Sequence, residues 1–106
     1  MPNSIDIDAL NRLLNAGDAP LLLDVRRKAD YEAQPQKIAG ARWCNPENID
    51  RWIKEIPSGL SIVVYCVKGG SVSQSAVDRL RKEGHDAVWV EGGLKAWVEN
   101  GQPVIK

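Results

Sequence analysis

Ile62-Val63-Val64-Tyr65-Cys66-Val67-Lys68-Gly69-Gly70-Ser71-Val72-Ser73 is the stretch on which the reading of this chain turns. It opens with an apolar, β-branched run, the pattern of a strand buried on both faces of a parallel sheet. It ends before a segment with helical spacing, expected from about Ser73 to Glu83. Cys66 stands at the hinge, as the expected last strand residue before a glycine-bearing turn. In open α/β sheets, ligands bind in the crevice beyond the carboxyl ends of the strands. A cysteine there is placed for chemistry. The turn offers backbone N–H groups from Val67 to Val72, and the helix beyond offers its positive end. Both favour an anion, and the reactive form of cysteine is the thiolate anion.

The same alternation extends outward along the chain. Asp6 is expected to cap a helix from about Ile7, with Asp8 in its first turn and Leu10, Leu13 and Leu14 on one face. Gly17 ends that helix. Pro20 introduces Leu21 to Val25, a second buried strand with Asp24 and Arg26 at its carboxyl end. Arg27 to Lys37 reads as polar and irregular, with one helical turn around Asp30 to Ala33. Asn45 caps a helix that has Pro46 and Glu47 in its first turn. Its apolar face is Ile49, Trp52, Ile53 and Ile56, and Pro57-Ser58-Gly59 ends it. In the helix after Cys66, Ala76, Val77 and Leu80 face inward, and Gly84 closes it. Ala87 to Val90 is the last strand, and Gly93 to Glu99 the last helix. Alternating strands and helices imply an α/β fold: a small open parallel sheet of about five strands with helices on both faces.

Composition narrows the function. At 106 residues the chain is expected to form one domain, residues 1–106, with its own core. Formal net charge is zero, from 14 basic and 14 acidic side chains, which argues against a nucleic-acid partner. The longest apolar run, Ile62 to Val67, is far too short for a membrane span. Met1-Pro2-Asn3-Ser4 lacks a signal-peptide pattern, so a cytoplasmic location is expected. Cys44 and Cys66 are too few for a disulfide framework. With only His85 to add, a structural zinc site is not expected.

Three sets of residues match a known family in its order and at about its spacing: Leu22-Leu23-Asp24-Val25-Arg26, then Tyr65-Cys66 with its glycine loop, then Glu91-Gly92-Gly93-Leu94-Lys95-Ala96-Trp97. Together they resemble a single-domain rhodanese over nearly the whole chain. The resemblance implies a sulfurtransferase that uses no metal or organic cofactor. Cys66 would carry a persulfide, taking sulfur from thiosulfate or glutathione persulfide and passing it to cyanide, a thiol or a protein cysteine. Val67, Lys68, Gly69, Gly70, Ser71 and Val72 would form the substrate cradle. Asp24 and Arg26 would be structural fixtures near the loop. The expected oligomeric state is a monomer or weak dimer. Many relatives carry Cys-x-x-Gly-x-Arg in this loop, and here Ser71 replaces the Arg, which bears on thiosulfate. Lys37 likewise stands where the family usually has His.

Other readings stay open at this stage. Cys66 could be a small inert hydrophobe. Cys44 is either a bystander or a resolving thiol, the latter requiring Cα atoms within ~7 Å of Cys66. Lys68 is either the cradle's cation or a solvated lysine. Trp43, Trp52, Trp89 and Trp97 read as core aromatics, and His85 is expected at the end of the sheet away from Cys66. One alternative function is a non-catalytic binding or sensing module of the same fold. Another is a phosphatase or arsenate reductase, in which Cys-x5-Arg would require Arg where Val72 stands.

Overall fold

A computed structural model describes residues 3–17 and 19–106. Met1 and Pro2, part of the stretch read for a leader, lie outside the described residues, as does Asp18. The elements in chain order are β1 (Ser4–Ile5), α1 (Ile7–Leu14), β2 (Leu21–Asp24), α2 (Lys28–Ala33), β3 (Arg42–Trp43), α3 (Ile49–Trp52), β4 (Ser61–Tyr65), α4 (Ser71–Lys82), β5 (Asp86–Val90) and α5 (Gly93–Glu99). The strands form one sheet in the order β1-β5-β4-β2-β3, and every pairing is parallel.

Period-two alternation in β4 splits the core into two layers. Ile62, Val64 and Cys66 point to one face, where Trp52, Ile53, Ala76, Val77 and Leu80 cover them. Val63 and Tyr65 point to the other, against Ile7, Leu10, Leu94 and Trp97. Helices thus cover both faces, as the alternation of elements implied. Cys66 lies on the α4 side, and its neighbour Tyr65 on the side of α1 and α5.

Local signals place most boundaries. Asp6 Oδ1 accepts the Ala9 N–H at 2.8 Å, capping α1. On that helix Ile7 and Leu10 are buried and Leu14 packs on the core, but Leu13 is exposed. With 3.6 residues per turn, Ile7, Leu10 and Leu14 form one stripe, and Leu13 falls on its flank. The segment after Asn45 is not one helix. A 3-10 turn at Pro46–Asn48, the short α3 and a second 3-10 turn at Ile53–Glu55 succeed one another. Tighter winding aligns residues three apart, which helps Ile53 and Ile56 face the same core. The helix expected from Ser73 starts at Ser71, with Gly70 as its cap. Ser71 and Val72 therefore belong to its first turn and not to the loop. Strand β4 ends at Tyr65, so Cys66 is the first residue beyond it.

Candidate active site

Cys66 sits where the loops after β4 and β2 come together, because those strands are neighbours in the sheet. It is 5% exposed and lies on a cavity of about 330 Å³. Val67, Lys68, Gly70, Ser71 and Val72 line this cavity from the loop and the first turn of α4. Arg27 and Asp30 line it from the β2 side.

The loop is held from behind by α5. Leu94 N–H donates to the Cys66 carbonyl and Lys95 N–H to the Val67 carbonyl, each at 2.9 Å. Gly93 makes this approach possible. Its φ is +59°, and a Cβ there would come within 2.5 Å of the Cys66 carbonyl oxygen and 2.7 Å of that of Val67. Gly69, at φ +72°, is pressed equally closely against Val90 and Gly92. The two glycine motifs of the sequence thus form one joint. A trans peptide points its N–H opposite to its C=O. Tying the Cys66 and Val67 carbonyls to α5 therefore turns the Val67 and Lys68 N–H groups away from it. Among the described residues, no backbone N–H from Val67 through Ser73 has an acceptor in the protein. Unspent donors following a cysteine, continued by the end of a helix, suit an anion, while Gly69 itself packs against α5.

Ser73 adds a side chain to this arrangement. It is fully buried, and its Oγ is 3.1 Å from Cys66 Sγ. The same oxygen is 3.4 Å from the Gly70 carbonyl. While Cys66 is a thiol, S–H can donate to Oγ and the hydroxyl to Gly70. Once the sulfur is an anion, the hydroxyl can rotate and donate to it.

Asp24 and Arg26 form a buried ion pair. The guanidinium reaches the carboxylate at 2.7 Å through Nη2 and at 3.0 Å through Nε, and the Arg26 N–H adds a 3.0 Å bond. Tyr65 donates its hydroxyl to the same carboxylate at 3.1 Å. Burial, reinforced by the Asp24 charge, pushes the Tyr65 hydroxyl pKa upward, so it stays a donor. The remaining Arg26 donors go to the Gln34 and Gln36 carbonyls at 2.7 and 3.2 Å. Every nitrogen of Arg26 is spent on the framework. Removing one partner of such a pair typically costs ~3–5 kcal/mol, because the other is left charged and buried.

Cys44 follows β3 and is buried in the same core layer as Cys66, and both thiols are free. Burial, partly offset by Arg42 and supplemented by Asp24 and Glu55, pushes its thiol from 9.0 to about 11. His85 immediately precedes β5, whose first residue pairs with the first residue of β4. It is therefore at the opposite end of the sheet from Cys66. Trp52 and Trp97 are core residues, while Trp43 and Trp89 are half-buried. Trp43 stacks on Tyr31 at 4.5 Å, with an interplanar angle of 7°.

The structure thus brings together Cys66 and most of the cradle expected from the sequence. Gly69 is buried against β5 and α5 instead of lining the cavity. Lys68 and Ser71 are exposed at its rim. Ser73, Arg27 and Asp30 were not anticipated. Ser73 had a signal, since a serine at i of an i, i+3, i+4, i+7 stripe with Ala76, Val77 and Leu80 must be buried and must find a partner. Arg27 and Asp30 had none, because only the β2–β4 pairing brings their loop to Cys66.

Comparison with known proteins agrees with this architecture. The model of the family described as "Rhodanese-like domain" matches residues 6–100. A protein named sulfurtransferase from Allochromatium vinosum is 31% identical over 106 residues, covering 99% of this chain and 96% of its own length. A crystal structure of a rhodanese-related protein from Thermoplasma volcanium superposes with a TM-score of 0.83 at 28% identity, covering 96% of each chain. A rhodanese-like domain protein from Staphylococcus aureus gives 0.80 at 29% identity, covering 92% of this chain and 91% of that one.

Proposed function

The chain belongs to the rhodanese-like family, and on that premise we propose that it is a sulfurtransferase working through a persulfide on Cys66. The observation that carries the reading is the row of unspent N–H groups from Val67 to Ser73, directly after a cysteine at a cavity wall. In the first step the Cys66 thiolate attacks the outer sulfur of the donor. The new Sγ–S bond forms as the donor's S–S bond breaks, and the electron pair leaves on sulfite, from thiosulfate, or on a thiolate, from a small persulfide. In the second step cyanide, a thiolate or a protein cysteine attacks the outer sulfur, and Cys66 leaves as a thiolate. No oxidant or reductant enters either step. Two displacements through a covalent intermediate give ping-pong kinetics. The cradle and the Ser73 hydroxyl hold negative charge on sulfur with little reorganisation.

Intact-protein mass spectrometry after incubation with thiosulfate, and separately with glutathione persulfide, tests this. A cyanide-labile gain of one sulfur atom is expected on the peptide containing Cys66. Cys66→Ser is expected to lose both the label and turnover, whereas Cys44→Ser keeps near wild-type labelling. Turnover retained in Cys66→Ser would overturn the assignment.

Donor choice turns on the rim. With Ser71 in place of an arginine, thiosulfate lacks a guanidinium fork there. Ser71→Arg is expected to lower KM for thiosulfate roughly tenfold, the lower end of what a charge-assisted hydrogen bond contributes. Lys68→Ala is expected to raise it. Unchanged thiosulfate kinetics in both variants would mean that the loop acts through its backbone alone.

A further inference from the structure

The cavity at Cys66 does not end at the first turn of α4. It shares Arg27, Ser71 and Val72 with a larger cavity of about 540 Å³ that runs on to Ser75, Arg79 and Glu47. Thiosulfate needs only the first of these. Arg27, at the junction of the two, is exposed and makes no ion pair among the described residues. Arg79, further along, is 40% exposed in its side chain and bonded to Asp50 at 2.6 Å. Asp50 is 83% exposed, so this pair is held loosely by solvent-screened attraction. Glu47 on the facing wall offers the opposite charge.

We propose that this second cavity is a subsite for the zwitterionic tail of a short peptidic persulfide, whose sulfur end lies at Cys66. A carboxylate of the tail would pair with Arg79, releasing Asp50 to water. An ammonium group would face Glu47, and Arg27 would hold an anionic group nearer the sulfur. The arrangement rests on the sulfurtransferase reading and identifies which donor that site prefers.

The test compares three donors: glutathione persulfide, the persulfide of 2-mercaptoethanol, which has no charged tail, and thiosulfate. Steady-state KM and mass labelling at Cys66 are measured for wild type, Arg79→Ala and Asp50→Asn. Arg79→Ala is expected to raise KM for glutathione persulfide about fivefold more than for either other donor, the scale of one partly screened charged contact. Asp50→Asn frees Arg79 and is expected to shift the same ratio about twofold the other way. Both side chains are on the surface, so the fold is expected to tolerate the changes. Equal effects on all three donors in both variants would overturn the subsite while leaving the Cys66 assignment intact. If no donor labels Cys66 in the wild-type protein, the sulfurtransferase reading falls and the subsite with it.

Discussion

Cys44 and Cys66 each follow a strand of the same parallel sheet and are buried in the same core layer, yet the chain treats them differently. After Cys44 comes Asn45-Pro46-Glu47. Pro46 has no N–H, Asn45 Oδ1 takes the Glu47 N–H at 3.0 Å, and the Asn45 carbonyl takes Trp52 Nε1 at 2.8 Å. The Cys44 N–H itself goes to Asp24 O at 2.8 Å. Near Cys44 the Cys44 and Glu47 N–H groups are already engaged and Pro46 has none, which leaves the Asn45 N–H alone, and burial drives the Cys44 thiol to about 11. After Cys66 the carbonyls are tied to α5, and the N–H groups through Ser73 are left without acceptors. A place at the carboxyl end of a strand is therefore shared by both cysteines and does not by itself surround a sulfur with donors. What distinguishes the two is how many donors the next residues still have to offer an anion.

The joint behind Cys66 is the most direct way to break that contrast. Gly93→Ala puts a Cβ against the Cys66 and Val67 carbonyls at a φ that side chains rarely adopt. The loop must move or the protein must loosen. Alkylation of Cys66 by iodoacetamide is expected to slow at least tenfold, with a Tm several degrees lower, as ~1–3 kcal/mol of backbone strain implies. Cys44 alkylation in the same sample serves as the internal reference. If Cys66 reacts at the wild-type rate in a folded Gly93→Ala protein, the α5 contact does not set the cradle.

A smaller effect is expected from Ser73→Ala, which removes one hydroxyl from the sulfur and changes nothing at Cys44. A hydrogen bond of this kind contributes ~0.5–1.5 kcal/mol, so Cys66 alkylation should slow roughly twofold to twelvefold. Ser73→Thr is expected to recover part of the rate if its methyl fits, whereas a structural role alone would move Tm and leave the rate.

The smallest effect is at Cys44, and it depends on pH. The unfolded chain releases this proton near 9.0, the folded protein only near 11. The folded state thus binds more protons across that interval. The contribution of the buried thiol to stability is complete below about pH 9 and is lost as pH rises toward 11. Cys44→Ser should flatten that part of the stability curve in urea titrations at pH 8, 9, 10 and 11. An unchanged slope would mean that Cys44 is more hydrated than its burial implies.

How much of this was legible in advance varies by element. The strand at Ile62, the caps at Asp6 and Asn45 and the last helix, Gly93 to Glu99, all follow from period, capping chemistry and glycine placement. The helix after Cys66 starts two residues before Ser73, which is a capping residue by type. Gly70 already occupies that position, and burial gives Ser73 a different partner in Cys66.

The sequence by itself determined the class of fold, the order of elements and the cysteine on which chemistry would centre. Each of those rests on interactions within a few residues, where side-chain type and spacing constrain the backbone directly. Tertiary structure decided what surrounds that cysteine. The strand order β1-β5-β4-β2-β3 carries Arg27 and Asp30 to the cavity wall and seats Gly93 under the loop. These meetings join residues separated by tens of positions, and no local pattern encodes them. They exist because burying both faces of the sheet leaves the loops at its carboxyl end nowhere else to converge.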